Sequence, residues 1–263
     1  MSRSGVDAIW LVVGQHNDIE ARWVADGLRA RADQPVRFVS DATLVHDCRW
    51  DLRVGAGGAA ARLELGDGTV LDPSTVDGVV NRLCWLGAEA FAGASASDRE
   101  YATGELHALG LGWLESLGGR VVNRPAGTGL AGPSRRTAEW RSLARTVRLP
   151  IAPFDSDDPP PEVLPLDEEG GVASVLVVDG DVVPADGPDL PPAVRDGLTA
   201  LRRASGLDLL EAHLVAPADG AGTGTGDGLA LRSVSFLATM SRFGDAGLDA
   251  LHKALITRRG ARR

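Results

Sequence analysis

Glu211 and His213 stand two residues apart in the run LLEAHLV that begins at Leu209. Read as a strand, that run places both on one face, as an acid/base pair or part of a metal site, or as a charge and an imidazole beside a sheet edge. His16, Asn17 and Asp18 follow the first apolar run. They occupy the carboxyl end where α/β folds bind ligands, or Asn17 or Asp18 caps the next helix. Arg82, Asp98, Arg99 and Glu105 either line a groove for an acidic peptide or form ordinary surface pairs. Gly55-Ala56-Gly57-Gly58 has the look of a phosphate loop, but it precedes a hairpin instead of a helix and reads as a turn. Gly222, Gly224, Gly226 and Gly228 carry no following Lys-Ser or Lys-Thr and read as a flexible tip. Trp10, Trp23, Trp50, Trp85, Trp113 and Trp140 read as core or interface anchors. Cys48 and Cys84 form no CxxC pair and no zinc-spaced cluster, which argues against a disulfide framework or a structural metal and for a reducing cytoplasm. No Ser-His-Asp or Cys-His arrangement emerges from spacing.

The elements that must position these residues alternate. Residues 8–13 are a short apolar strand closed by Gly14, residues 18–32 a helix, and residues 36–39 a second strand, a βαβ unit with a parallel sheet. Residues 62–71 form a hairpin around Gly66, Asp67 and Gly68. Residues 76–83 are a buried strand ending in Asn81 and Arg82. A capping box of Ser97 and Glu100 starts a helix that carries Leu106, Leu109, Trp113 and Leu117 and stops at Gly118. Residues 121–122 are a short strand, and residues 137–147 a helix. Beyond an acidic, proline-rich linker at about 154–172 come a hairpin (173–183), a helix (191–205), and antiparallel strands at 209–215 and 229–237 around the tip at 217–228. A last helix (246–256) leads into a basic tail. The domain boundary falls at 122, giving domains 1–122 and 123–263.

At 263 residues and 44% hydrophobic content the chain can bury a sizeable core. Its formal net charge of −9 repels nucleic acid and anionic membrane, and no run is long enough for a membrane helix, so the sequence predicts a soluble protein whose partners are peptides, proteins or small molecules. Of 27 Lys plus Arg, Lys253 is the only lysine.

Taken in order, Val80-Asn81-Arg82, Asp98-Arg99-Glu100-Tyr101, Glu105, VVNRP ending at Pro125, RLPIAPF from Arg148 and MSRFGDAGLDALHKALI from Met240 resemble the ATP-grasp ligases of peptide-maturation clusters. The resemblance covers most of the chain and implies an α/β fold: an N-terminal pre-ATP-grasp-like βαβ domain, then a truncated α+β ATP-grasp domain. Such enzymes activate a carboxylate as an acyl phosphate, using lysines on the nucleotide phosphates and a magnesium cluster. Phosphoryl transfer depends on positioning and on neutralising charge. The first family lysine matches Arg136, while the strand carrying the second matches the linker. The magnesium-binding Asp matches His213, and the Glu and Asn match Ser233 and Ser235, a poor octahedral set.

The resemblance therefore implies an ATP-grasp pseudoenzyme that binds a peptide or partner enzyme, with no cofactor expected. Its groove would use His16, Asn17, Arg82, Asp98, Arg99 and Arg242. One alternative is an active carboxylate-amine ligase using ATP and magnesium, with Arg124, Arg135, Arg136 and Arg242 rebuilding the nucleotide site. Another is a structural subunit that forms a homodimer through its N-terminal domain.

Overall fold

The computed structural model describes residues 8–56, 58–87, 91–153, 173–185, 190–216 and 228–260. The acidic linker at 154–172, Gly57, and the Gly-rich tip except Gly228 lie outside the described residues. The chain is mixed α/β and divides into two compact units, residues 1–132 with 252–263, and residues 133–251.

The first unit contains β1 (Ile9–Gly14), α1 (Ile19–Arg29), β2 (Val36–Ser40), α2 (Asp41–His46), β3 (Cys48–Gly55), β4 (Gly58–Leu65), β5 (Val70–Leu71), β6 (Val76–Asn81), α3 (Ala96–Leu117) and β7 (Val121–Val122). A parallel sheet runs in the order β2-β1-β6-β7, as the βαβ pattern predicts, and β3-β4-β5 form a separate antiparallel sheet. Every position of β6 is buried, Asp77 and Asn81 included, in keeping with its reading as a buried strand. Leu11, Val13 and Val79 pack with Leu63, Leu65, Trp113 and Leu117, contributed by β4 and α3. On the other face Trp10 meets His252 edge-on at 5.4 Å. Gly78 leaves room there, since an added Cβ would lie 3.0 Å from both Leu255 Cδ2 and Trp10 Cδ1.

This unit continues past residue 122, where the sequence places the boundary. Asn81, 2% exposed, donates through Nδ2 to the carbonyls of Asn123 (2.9 Å) and Leu130 (2.6 Å), and its Oδ1 accepts from the Leu83 amide. One buried amide thus ties the segment after β7 to the end of β6, a link between distant positions that no local pattern announces.

The second unit contains α4 (Thr137–Thr146), β8 (Ala173–Val178), β9 (Asp181–Pro184), α5 (Pro192–Ser205), β10 (Leu209–Val215) and β11 (Ala230–Ser235). Its antiparallel sheet has the order β11-β10-β8-β9. Leu210, Ala212 and Leu214 of β10 pack with Trp140, Ala144, Leu198 and Leu201 from α4 and α5. Period-two alternation then turns Glu211 and His213 to the opposite face. A 3₁₀ turn (Met240–Phe243) leads into α6 (Gly244–Gly260), whose residues from His252 onward belong to the first unit.

Two local readings change. The N-cap of α3 is Ser95, accepting from the Asp98 amide, not Ser97; the same Ser-x-x-acid signature occurs in both frames. The helix α2 and strand β3 are absent from the sequence reading. α2 spans only 6 residues, too short for helical periodicity to register, and β3 alternates charged with apolar residues beside it. Among the described residues, no helix is long and apolar enough to cross a membrane.

Candidate functional site

At the carboxyl ends of β1, β2 and β6 the polar residues are organised by two carboxylates, Asp41 buried and Asp18 largely so. Asp41, the first residue of α2, accepts from Gln15 Nε2 (3.0 Å), from the His16 amide (2.5 Å) and from His16 Nδ1 (3.2 Å). Gln15 also accepts from the Cys84 amide (3.1 Å) and donates to the Trp85 carbonyl (3.3 Å), joining the ends of β1, β2 and β6. Asp18 caps α1 by accepting from the Ala21 amide, and it takes Arg82 Nε at 2.8 Å and Nη2 at 3.3 Å. Of the two cap candidates, Asn17 and Asp18, the cap is therefore Asp18.

The side chains of Arg82 and Asp18 are 9% and 14% exposed, so this guanidinium is held by a carboxylate within the fold. His16 differs: its ring is anchored through Nδ1 on Asp41, yet 64% of the side chain is exposed. Asn17 beside it is exposed as well. Asp98 accepts from the Ser95 hydroxyl (2.8 Å), and Arg99 Nη1 donates to the Ala92 carbonyl (3.1 Å), so these two organise the start of α3. Arg242 belongs to the second unit. Of the six candidate groove residues, the structure brings His16, Asn17 and Arg82 to one end of the parallel sheet. Gln15 and Asp41, absent from the sequence reading, organise that end; Asp41 starts the unrecognised α2. Burial raises the thiols of Cys48 and Cys84 to about 11, which keeps both protonated and poor as nucleophiles.

The other set of candidates lies on the β10 face turned away from α4 and α5. There Glu211 is 1% exposed and His213 8% exposed. Glu211 Oε2 accepts from the Thr239 amide (2.8 Å), while Oε1 lies 3.8 Å from Arg242 Nη1 and 3.9 Å from His213 Nε2. Arg242 Nη1 donates to Ser174 Oγ (2.7 Å), which leaves the serine proton for His213 Nδ1 at 3.2 Å. Ser233 and Ser235 pair with His213 and Glu211 across β10 and β11. Ser235 Oγ is taken up locally, donating to the Leu237 carbonyl and accepting from its amide.

Burial is the main reason the folded-state pKa of His213 falls from 6.5 to about 4, with Arg242 and then Arg232 adding to it. The Glu211 carboxylate would oppose this shift, but the guanidinium beside it offsets its field. Above pH 6.5 the imidazole is neutral folded or unfolded. Between 6.5 and 4 only the unfolded chain takes up the proton, so stability is expected to fall by roughly 1.4 kcal/mol per pH unit as pH drops through that window. Urea midpoints at pH 7 and 5 check this; His213→Gln should remove that part of the slope, and an unchanged slope would mean that the imidazole is not held neutral.

The candidate nucleotide-site arginines are placed as follows. Arg124 pairs with Glu115 at 2.9 Å, both partly exposed. Arg135 donates to the Ser205 carbonyl (2.8 Å) and lies over the Trp140 ring. Arg136 is the N-cap of α4, its amide donating to Glu139 Oε2 (2.7 Å), with an exposed side chain.

No family model matches the sequence, and no curated protein matches it. Solved structures do. Macrocyclase MdnC from Microcystis aeruginosa MRC, bound with precursor peptide MdnA, is similar with a TM-score of 0.71 at 13% identity, over 95% of this chain and 99% of that one. ATP-grasp ligase PsnB, complexed with precursor peptide PsnA2 and AMPPNP, has a TM-score of 0.67 at 16% identity, over 98% and 100%. The Chryseobacterium gregarium RiPP-associated ATP-grasp ligase, in complex with ADP and a leader and core peptide, has a TM-score of 0.67 at 10% identity, over 97% of each chain. This chain therefore has the fold of these ATP-grasp ligases along nearly its whole length.

The sequence resemblance implies magnesium and ATP, and PsnB has been solved with Mg and ADP. The residues present on the β10 face do not fit the metal. Magnesium takes hard, mostly anionic oxygens in octahedral geometry. Here the donors are a neutral imidazole, two serines, and a carboxylate already flanked by Arg242 and the Thr239 amide. Among the described residues no group of three His, Cys, Asp or Glu converges to hold an ion.

Proposed function

We propose that this chain is a catalytically inactive ATP-grasp homologue that binds a peptide or a partner enzyme in a peptide-modification pathway, without a nucleotide or metal cofactor. The observation that carries the reading is the β10 face. Where the resemblance calls for a metal-binding Asp, Glu and Asn stand His213, Ser233 and Ser235, and Arg242 supplies an internal cation beside Glu211. An ammonium close to phosphate is equally hard to supply, because Lys253 is the only lysine.

Peptide or protein binding is supported by the fold neighbours solved with precursor peptides and by the exposed pair His16 and Asn17 at the carboxyl end of the parallel sheet. An active ligase built on arginines gains less support, since Arg124 and Arg135 are engaged in contacts of their own.

The test is calorimetric titration and thermal unfolding of the full chain with magnesium and ATP. A ligand present at a hundred times its Kd stabilises a protein by about 2.7 kcal/mol. The expected result is no heat and no shift in Tm at millimolar nucleotide. A clear rise in Tm, lost in Arg136→Ala, would overturn the reading and favour the ligase.

A further inference from the structure

We infer that a cavity at the amino ends of β1 and β2 binds a small primary amine with a carbonyl oxygen beside its ammonium group, the chemistry shared by a free α-amino acid and the amino end of a short peptide. The inference stands apart from the functional reading above, whose residues His16 and Asn17 lie at the opposite end of the same sheet.

The cavity has a volume of about 320 Å³ and is lined by Ala8, Asp33, Gln34, Pro35 and Arg259. Ala8 leads into β1, and residues 33–35 end the connection from α1 to β2. Arg259 comes from the last turn of α6, in the part of that helix that belongs to the first unit. A volume at the low end of the range for small-molecule sites suits a ligand of metabolite size.

The hydrogen bonds inside the lining define one half of the ligand. Arg259 Nε lies 3.1 Å from Oδ2 of Asp77, which is 8% exposed, and Nη1 donates to Gln34 Oε1 at 2.7 Å. These contacts hold the Gln34 carboxamide with its oxygen turned to the guanidinium. Its Nε2 is buried and has no hydrogen-bond partner among the described residues. A buried donor without an acceptor costs stability. The terminal torsion of glutamine is soft, so a small rotation offers Nε2 to an acceptor oxygen in the cavity.

Charge defines the other half. Asp77 offsets Arg259, while Asp33 is exposed and forms no ion pair among the described residues, so the lining carries one negative charge in excess. Asp33 calls for a cation and Gln34 for an acceptor. A simple anion meets Gln34 and is repelled by Asp33; a simple amine meets Asp33 alone. An ammonium next to a carbonyl meets both. Ala8 and Pro35 add only small apolar surface, which leaves recognition to the polar pair.

The test is a titration of the full chain, labelled with ¹⁵N, with L-alaninamide, L-alanine and propionamide from about 0.1 to 10 mM, since ligands of so few atoms gain few contacts. Binding is followed through the side-chain amide signals of Gln34, identified by their loss in Gln34→Leu. Those signals are expected to move with alaninamide or alanine and to stay in place with propionamide, which lacks the ammonium. Asp33→Asn, at an exposed position, should weaken the amine about tenfold or more, the worth of a hydrogen bond to a charged group. Tighter binding of alaninamide supports the amino end of a peptide as the ligand, and tighter binding of alanine a free amino acid. Gln34 signals that neither amine moves, that propionamide moves equally, or whose response is indifferent to Asp33→Asn overturn the proposal.

Discussion

Glu211→Ala is expected to lower the stability of the protein by about 3 kcal/mol, the low end of the cost of removing one partner from a buried charge pair, because the carboxylate is buried while the Arg242 side chain stays 26% exposed. The carboxylate is 1% exposed and receives the Thr239 amide at 2.8 Å. Without it the Arg242 guanidinium loses the anion at 3.8 Å, while its hydrogen bond to Ser174 holds it in place beside His213. Glu211→Gln keeps an acceptor for the Thr239 amide and should cost less than the alanine change. The double replacement Glu211→Leu with Arg242→Met should recover much of the loss, because exchanging both members of a largely buried pair for apolar groups is often close to neutral. Urea midpoints of the four proteins check the order. A loss under about 1 kcal/mol for Glu211→Ala, well below the range for a broken buried pair, would mean that the carboxylate is not committed to the fold and stands free for another ligand, which would weaken the inactive reading as well.

Asn81→Ala is expected to cost about 3 kcal/mol, since it removes three buried hydrogen bonds, those to the Asn123 and Leu130 carbonyls and that from the Leu83 amide, each worth about 1 kcal/mol net. The distances of 2.9, 2.6 and 3.2 Å make all three genuine bonds. Asn81→Asp sharpens the test, because it retains shape and the acceptor for Leu83 but turns an anion toward two carbonyl oxygens. It should destabilise at least as much as alanine. Equal stability of wild type and Asn81→Asp by urea unfolding would show that the two carbonyls do not depend on the amide. The same contact sets the boundary of the first unit: a variant that breaks it should expose residues 123–130 to hydrogen exchange before the rest of that unit.

The elements that periodicity reports best were the legible ones. The βαβ start, the hairpin ending at β5, and the strands β8 to β11 each carry a run, an alternation or a turn dipeptide strong enough to read locally. The Ser-x-x-acid signature located the start of α3 to within two residues and chose the wrong serine, since both frames offer the same hydrogen bonds. For the candidate site, the alternation in LLEAHLV correctly placed Glu211 and His213 on one face, but it left open whether that face is a site or a sheet edge. The answer depended on residues far away in sequence: Ser174, 39 positions before His213, and Arg242, 68 positions after Ser174.

The amino-acid order alone determined what chemistry the chain has to offer: almost no lysine, a serine pair and a histidine where the resemblance places metal ligands, and acidic net charge. It also determined the α/β class, because short-range periodicity follows from backbone geometry and needs no partner. Only the tertiary structure decided how those groups are spent. Arg82 looks like a ligand-binding cation until Asp18, 64 positions earlier, neutralises it. Asp41 carries no local signal, yet it anchors His16 across 25 positions. A side chain's availability is set by which groups meet it once the chain has folded, and such meetings are long-range contacts that one sequence does not encode in any readable local pattern.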